Sequence, residues 1–205
     1  MHAAISLFDG GRGHMENSDP RYVRSRLKLR AALLELADED TSKLSVSAVC
    51  ERTRIDRATF YRHFDDLDGL LEDTLRSLAD EGADEWLAIS EGSGLQVETS
   101  VGLMTAYFEQ VIAHWELYRW ALGPGGSARV IHSILTQQVR GVDAELTKLY
   151  GEDEDTHYRS WFMGGALVGT LLHWLQSERP ERDPEDLARW ILRTSMAAPS
   201  LAPQD

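Results

Sequence analysis

The chain has 205 residues, 42% of them apolar, and carries 34 acidic and 21 basic side chains for a formal charge of −13. This length allows one or two domains with a real core, and the net negative charge argues against nucleic acid as a partner of the chain as a whole. Divided along the chain, however, the charge is +3 over residues 20–65 and −14 over residues 66–205. A small basic segment therefore keeps nucleic acid among the candidate partners.

Composition excludes several classes of site. Cys50 is the only cysteine, which excludes an intrachain disulfide, a paired-cysteine redox site and a multi-cysteine zinc site. The longest apolar stretch, residues 161–174, is too short to span a bilayer, and residues 1–19 lack the features of a signal peptide. We therefore expect a cytoplasmic protein without membrane contact, metal or cofactor. Residues 1–19 are expected to be a disordered or non-native arm.

Apolar residues recur at three- and four-residue spacing through most of the chain after residue 19, and no segment alternates convincingly as a strand does. This spacing predicts an all-α protein of about nine helices. Ser45, Asp56 and Asp183 are the predicted N-caps of three of them. The predicted helices cover, in order, residues 21–37, short stretches after 45 and after 56, then 67–89, 99–114, 116–122, 127–150, 156–177 and 184–196.

The composition also predicts a division into domains. The sequence EGSG at residues 91–94 is the clearest boundary, because glycine and serine favour flexible connections. The predicted units are a first helical domain over 20–66, a connecting helix and linker over 67–94, a second helical domain over 95–198 and a tail over 199–205.

Residues 44–64 predict a helix-turn-helix, two short helices joined by a turn of three or four residues. Phe60 and Phe64, four residues apart, would anchor its second helix to the core. Charge and spacing alone also fit an ordinary amphipathic helix with a solvated basic face. The donors that suit a major groove lie on about two turns of this helix, at Arg57, Thr59, Tyr61, Arg62 and His63.

The string TFYRHF at residues 59–64, with Leu70-Leu71 opening the next helix, resembles the DNA-binding domain of the TetR family of bacterial transcriptional regulators. The resemblance covers about 60 residues, from 21 to 78, and implies a ligand-binding and dimerisation domain in the remainder. It implies base-edge or adjacent phosphate contacts for the first turn of the recognition helix and phosphate contacts around it. The implied DNA-binding residues are Ser45, Ser47, Arg54, Arg57, Ala58, Thr59, Tyr61, Arg62 and His63.

Two positions depart from the family's pattern. Thr53 and Arg54 stand where the family usually has alanine and glycine, and a non-glycine residue at a positive φ costs about 1 kcal/mol. Arg54 also adds a cation close to the expected DNA. Leu67 replaces an expected lysine within the acidic run at residues 65–68, which predicts lower affinity or an unusual operator.

Residues 95–198 supply candidates for an effector pocket and for a dimer interface, although core packing alone is the more common explanation for any single aromatic residue. The small residues of the sequence WFMGGALVGTLLHWL would let a partner helix approach closely. The pocket candidates are Tyr107, Phe108, Trp115, Trp120, Trp161 and Phe162. The dimer candidates are Gly165, Ala166, Gly169, His173 and Trp190.

We predict a homodimeric regulator that binds double-stranded operator DNA, is not an enzyme, and acts more as a repressor than an activator. A small molecule held by residues 95–197 would favour a dimer geometry that no longer matches the operator, with the helix over 67–89 as the lever. One alternative is a ligand-independent regulator that acts through protein contacts. Another is an all-α small-molecule-binding protein or enzyme, although the sequence has no clear catalytic signature.

Overall fold

The computed structural model of the chain describes residues 19–89, 96–180 and 182–196. Over these residues the protein is all-helical, as predicted, with nine α-helices and one 3₁₀ turn, Thr41–Lys43. Of the predicted arm only Asp19 is described, and the predicted linker at 91–94 and tail at 199–205 lie outside the described residues. The helices are α1 (Pro20–Asp40), α2 (Val46–Thr53), α3 (Arg57–His63), α4 (Leu67–Ile89), α5 (Gln96–Ala113), α6 (Trp115–Leu122), α7 (Ala128–Tyr150), α8 (Glu154–Trp174) and α9 (Pro184–Met196).

The three predicted N-caps are confirmed. Ser45 Oγ accepts a hydrogen bond from the Ala48 N–H at 3.2 Å, and Asp56 Oδ1 accepts from the Thr59 N–H at 2.8 Å. Asp183 Oδ1 accepts from the first-turn amides of α9. Each cap satisfies a backbone donor that has no partner inside its helix, which fixes where α2, α3 and α9 begin.

Helix α1 includes the acidic run at residues 38–40 and therefore ends later than predicted. Glu39 projects outward and pairs with Arg52 of α2 at 2.8 Å, while Asp40 Oδ1 accepts from the Ser42 N–H at 3.0 Å. Because each of these two carboxylates has a partner, Glu39 and Asp40 remain in the last turn of α1. The chain leaves α1 after Asp40 through the 3₁₀ turn rather than after residue 37.

Helix α4 joins the two parts of the molecule. It packs against α1 on the N-terminal side and against α5 and α7 on the other. Its buried residues Leu70, Leu71 and Leu75 belong to an apolar cluster that runs without a break from Leu29 in α1 to Ile191 in α9. Burial of this cluster is the main stabilising contribution to the fold, and it fixes α4 relative to both parts.

A buried ion pair reinforces the contact between α1 and α4. The Asp73 carboxylate of α4 accepts hydrogen bonds from the guanidinium groups of Arg26 and Arg30 of α1. Burial raises the pKa of Asp73, but the hydrogen bonds from the two arginines outweigh it and hold that pKa below its ordinary value. The carboxylate is thus ionised at neutral pH and ties the first helix to the connecting helix.

Helices α7 and α8 form the most extensive helix pair in the described chain. Gly164 of α8 lies directly against Val139 of α7, and a Cβ on this glycine would be only 2.7 Å from Val139 Cγ2. Nearer one end of the pair, the Asp143 carboxylate hydrogen-bonds His157 Nδ1 and the Ser160 hydroxyl, each at 2.9 Å. The pair is therefore fixed by close packing in the middle and polar contacts at one end.

This polar contact predicts a pH-dependent contribution to stability. The hydrogen bond to Asp143 raises the pKa of His157 above its ordinary value. The contribution is then fully present below about pH 6.5, the pKa of an unfolded histidine, and is lost as pH rises through the folded value. We expect His157→Gln to lower the melting temperature more at pH 5.5 than at pH 8.

The matched control for this measurement is His132→Gln, which changes an exposed histidine of α7. It should alter the melting temperature equally little at both pH values. An equal loss at pH 5.5 and pH 8 for His157→Gln would contradict the role given to the Asp143 contact.

Candidate nucleic-acid interface

The turn between α2 and α3 has the geometry of a Schellman motif. The Ile55 N–H donates to the Cys50 carbonyl at 3.2 Å, and the Arg54 N–H donates to the Glu51 carbonyl at 3.3 Å. Arg54 adopts φ 55° and ψ 31°, so the left-handed conformation expected at this position is confirmed and is occupied by an arginine. The Thr53 hydroxyl stabilises the turn further, because it donates to the Val49 carbonyl and accepts from the Ile55 N–H.

The outer face of the helix-turn-helix is polar and already partly ordered. Arg57 Nη2 lies 2.5 Å from Ser47 Oγ, which ties the first residue of α3 to α2. Arg62 Nη2 donates to Thr59 Oγ1 at 2.9 Å, and this hydroxyl donates to the Asp56 carboxylate at 2.8 Å. The predicted residues that are exposed or partly exposed on α2, the turn and α3 are Ser47, Arg54, Arg57, Ala58, Thr59, Tyr61 and Arg62.

The exposed arginines of α3 and of the turn before it differ from Arg52 of α2 in their electrostatic partners. Within the described residues, Arg54, Arg57 and Arg62 have no ion pair. By contrast, Arg52 on the other side of α2 pairs with Glu35 and Glu39 of α1. These three exposed arginines of the helix-turn-helix therefore have no directly bound carboxylate among the described residues, an arrangement that favours the binding of an anion.

His63 lies away from this face. Its ring is half-buried between α1 and α3, with Nε2 2.7 Å from Ser25 Oγ and the ring centroid 4.1 Å from that of Tyr22. Burial and then the charge of Arg26 hold the pKa of His63 below its ordinary value, so the ring is neutral at pH 7. Tyr22 and Ser25 are contacts that sequence reasoning missed, since nothing in the spacing of α1 indicates a partner 38 residues away.

The acidic segment after α3 is engaged by the start of α7. Arg129 donates to both Asp66 oxygens, at 2.6 and 3.0 Å, and to Glu72 Oε1 at 2.9 Å. The Ser127 hydroxyl donates to Asp68 Oδ2 at 2.5 Å. The hydrogen bonds from Arg129 hold the pKa of Asp66 below its ordinary value. Two of the acids that interrupt the basic surface are thereby bound to the C-terminal part of the chain.

Four of the six pocket candidates lie in the interior of the C-terminal part. Phe108 is fully buried and packs edge-on against Trp174, 5.3 Å between ring centroids, and Trp115 packs against the same indole. Tyr107 contacts Phe108, while Trp120 is half-buried beside the core. Sequence reasoning missed two interior residues, Trp174 and Tyr118. The Nε1 atom of Trp174 and the hydroxyl oxygen of Tyr118 are buried without a hydrogen-bond partner among the described residues.

The other two pocket candidates do not join this group. Trp161 is 49% exposed and Phe162 is 66% exposed, both on the outer face of α8. Along that face lie the exposed Gly169 and His173, while Gly165 and Ala166 are partly covered. Trp190 of α9 is also exposed, at 40%. The structure thus groups Trp161 and Phe162 with the residues predicted for the dimer interface rather than with Phe108.

The described ranges contain neither a metal-binding cluster nor a membrane-spanning helix. No group of three or more histidine, cysteine or acidic side chains there is arranged to hold a metal ion. None of the helices in those ranges combines the length and the apolar character needed to cross a membrane. Cys50 is buried, and burial raises the pKa of its thiol.

Comparison with known proteins addresses the resemblance directly. Residues 29–74 match the family described as bacterial regulatory proteins, tetR family. A curated relative, the uncharacterized HTH-type transcriptional regulator YxbF of Bacillus subtilis strain 168, is 28% identical over 192 residues. That alignment covers 90% of this chain but 48% of the relative, so the chain spans about half the length of the curated relative it matches.

Solved structures agree on the fold. The regulator FadR from Bacillus subtilis, in complex with stearoyl-CoA, is 12% identical with a TM-score of 0.55, covering 83% of this chain and 97% of its own. RolR in complex with resorcinol is 15% identical with a TM-score of 0.57, covering 84% and 89%. The resemblance predicted from the sequence is confirmed, and residues 29–74 are a helix-turn-helix domain of the TetR family of bacterial regulatory proteins.

Proposed function

We propose that the chain is a sequence-specific transcriptional regulator that binds double-stranded operator DNA through α3. The observation that carries this proposal is that Arg54, Arg57 and Arg62 are exposed and have no ion pair among the described residues, on a chain that is otherwise strongly acidic. Phosphate contacts supply much of the affinity of such proteins, and a helix of this size fits a major groove. The proposed place of action is the cytoplasm, where bacterial DNA is found.

The proposed contacts divide by position on the face. Arg57, Ala58 and Thr59 occupy the first turn of α3 and are assigned to base edges or adjacent phosphates. Tyr61, which is 53% exposed, is assigned to a phosphate. The remaining residues are assigned to phosphate contacts and to the support of α2 and α3, and they are Ser45, Ser47, Arg54, Arg62 and His63. For His63 the contact with Ser25 supports a positioning role between α1 and α3 beside the predicted phosphate contact.

The left-handed Arg54 gives a test of the turn. Arg54→Gly should raise the free energy of unfolding by about 0.5–1 kcal/mol, because glycine removes the strain of a side chain at positive φ but loses more chain entropy on folding. The same variant should weaken DNA binding and reduce its salt dependence, since one cation is lost per protomer. Urea unfolding and fluorescence anisotropy measure the two effects.

Arg54→Ala is the matched control. Alanine retains the backbone strain and removes the same charge, so DNA binding should fall as in Arg54→Gly while stability stays at the wild-type value. A gain in stability for both variants would show that the turn is not strained. Unchanged DNA binding in both would remove Arg54 from the interface.

We further propose a homodimer formed by the outer faces of α8 and α9. The support is the row of exposed aromatic and small residues, including Phe162, Gly169 and Trp190, which a second copy would cover. Two copies would present two recognition helices to half-sites about 34–36 Å apart.

The proposed effector is a small, largely apolar molecule bound among α5, α6 and α8. Within the described residues of these helices and of α7 and α9, no charged side chain is buried, which favours an uncharged ligand. The hydroxyl of Tyr118 and the indole N–H of Trp174, which are buried without a hydrogen-bond partner in the described part of the chain, supply hydrogen-bond groups. Ligand binding would favour a dimer geometry with mismatched recognition helices and so relieve repression.

The first test is a selection of DNA duplexes from a randomised library by the full chain, followed by fluorescence anisotropy against scrambled competitor at several salt concentrations. Selective binding that weakens with salt supports the proposed function. A library that yields no enriched sequence would overturn it. Release of the selected duplex by an uncharged aromatic ligand supports the effector proposal, whereas a regulator working through protein contacts alone would stay bound.

A further inference from the structure

We propose that Arg129 and Ser127, at the start of α7, form a bridge to Asp66, Asp68 and Glu72 that positions the recognition helix for DNA. We name these five residues the α4–α7 bridge. The inference deepens the proposed function and rests on it for the DNA-binding consequence. Its geometry is independent of that function: four hydrogen bonds join groups that are 57 to 63 residues apart in the chain.

The bridge acts on the segment that fixes the end of α3. Helix α3 ends with the Phe64 N–H donating to the Phe60 carbonyl at 3.0 Å, and α4 begins three residues later at Leu67. Asp66, between them, also accepts from the Gly69 N–H at 2.8 Å and so caps α4. A bidentate guanidinium on the same carboxylate restricts its orientation, because both oxygens are held in one plane.

The bridge also changes the charge presented beside the basic face. Asp65, Asp66 and Asp68 place three carboxylates within four residues immediately after the recognition helix. Free carboxylates there would repel an approaching phosphate backbone. Arg129 compensates Asp66 and Glu72, and Ser127 directs a hydroxyl proton at Asp68, so the repulsion is reduced by groups that belong to the C-terminal part.

The location makes the bridge a route between the two parts of the molecule. Ser127 is the N-cap of α7, and the chain enters α7 directly from the turn after α6. A rearrangement that moves the start of α7 would therefore break hydrogen bonds to the segment that ends α3. Exposed ion pairs add little to stability, so the expected consequence is a change in position and charge rather than in unfolding.

The test compares Arg129→Gln with Arg140→Gln in the full chain. Arg140 is exposed on the same helix and has no ion pair with any described residue, so the variants lose the same charge. Hydrogen exchange at the Phe64 and Gly69 amides should become about fivefold faster or more in Arg129→Gln and stay at the wild-type rate in Arg140→Gln. Affinity for the selected duplex should fall about fivefold or more only in Arg129→Gln.

The two readouts separate the possible failures. Equal exchange in the two variants would overturn the positioning role, whether or not the chain binds DNA. Faster exchange with unchanged affinity would overturn the coupling to DNA. A wild-type chain that selects no duplex would refute the proposed function, while the exchange measurement would still decide whether the bridge holds the segment. Restored exchange and affinity in Arg129→Lys would support the charge contact with Asp66.

Discussion

Replacing Arg57 by alanine is expected to weaken operator binding about tenfold or more per half-site and to remove most of the preference over scrambled DNA. Arg57 is the first residue of α3, is exposed, and has no ion pair within the described chain. A bidentate arginine contact with a guanine contributes about 1–3 kcal/mol of discrimination. Ser47 already orients the guanidinium in the free protein, so part of the ordering cost is met before DNA binds.

Arg52→Ala is the control for this prediction. It removes the same charge from the same helix-turn-helix, but Arg52 is paired with Glu35 and Glu39 and faces α1. Its loss should leave the preference for the selected duplex unchanged. The measurement is anisotropy with selected and scrambled duplexes at two salt concentrations. If Arg57→Ala retained both affinity and preference, the assignment of α3 as the recognition helix would be wrong.

Replacing Gly169 by glutamate is expected to convert the proposed dimer into a folded monomer. A Cβ at Gly169 meets no atom of the described residues within 4 Å, and glutamate favours a helix over glycine by about 0.5–1 kcal/mol. The substitution therefore costs the isolated protomer nothing. In a symmetric dimer it would bury two carboxylates in a seam of apolar residues, which association cannot compensate. Light scattering after size-exclusion chromatography should report the mass of a single chain.

Two variants bracket this result. Ala144→Glu adds the same charge at an exposed position of α7 and should leave the mass at that of the dimer. Gly164→Ala should instead change stability and not the oligomeric state, because its Cβ would lie 2.7 Å from Val139 Cγ2 and 3.1 Å from the Val139 backbone. We expect it to lower stability by about 1–2 kcal/mol while the chain remains dimeric. A wild-type chain that is monomeric would refute the proposed interface.

Local features of the fold were predictable because they depend on residues close in sequence. The caps at Ser45, Asp56 and Asp183 were identified from residue type and position alone, whereas the positive φ at Arg54 was expected because the resembling family usually has glycine at that position. The end of α1 was not identified, because Glu39 finds a partner in α2 and Asp40 finds one in the 3₁₀ turn. Such partners depend on tertiary structure, which spacing does not reveal.

The limits of sequence reasoning at the candidate sites have the same origin. An aromatic residue that faces the protomer's interior and one that faces outward share the same helical periodicity. Spacing therefore did not separate Phe108, which is buried, from Trp161 and Phe162, which are exposed on α8. The acidic run at 65–68 was interpreted as unfavourable for DNA, because nothing local indicated that Arg129 would bind Asp66.

The unbroken apolar cluster limits how this architecture can be recombined. Because α4 packs against α1 on one side and against α5 and α7 on the other, its sequence has to satisfy two sets of neighbours at once. Exchanging α5 to α9 for the corresponding helices of another protein would change the surfaces against which α4 packs. A working chimaera must therefore inherit α4 together with the helices on both sides of it, or acquire compensating changes along its length. Within the proposed effector-binding part, substitutions that keep its contacts with α4 are therefore expected to be tolerated better than replacement of the whole part.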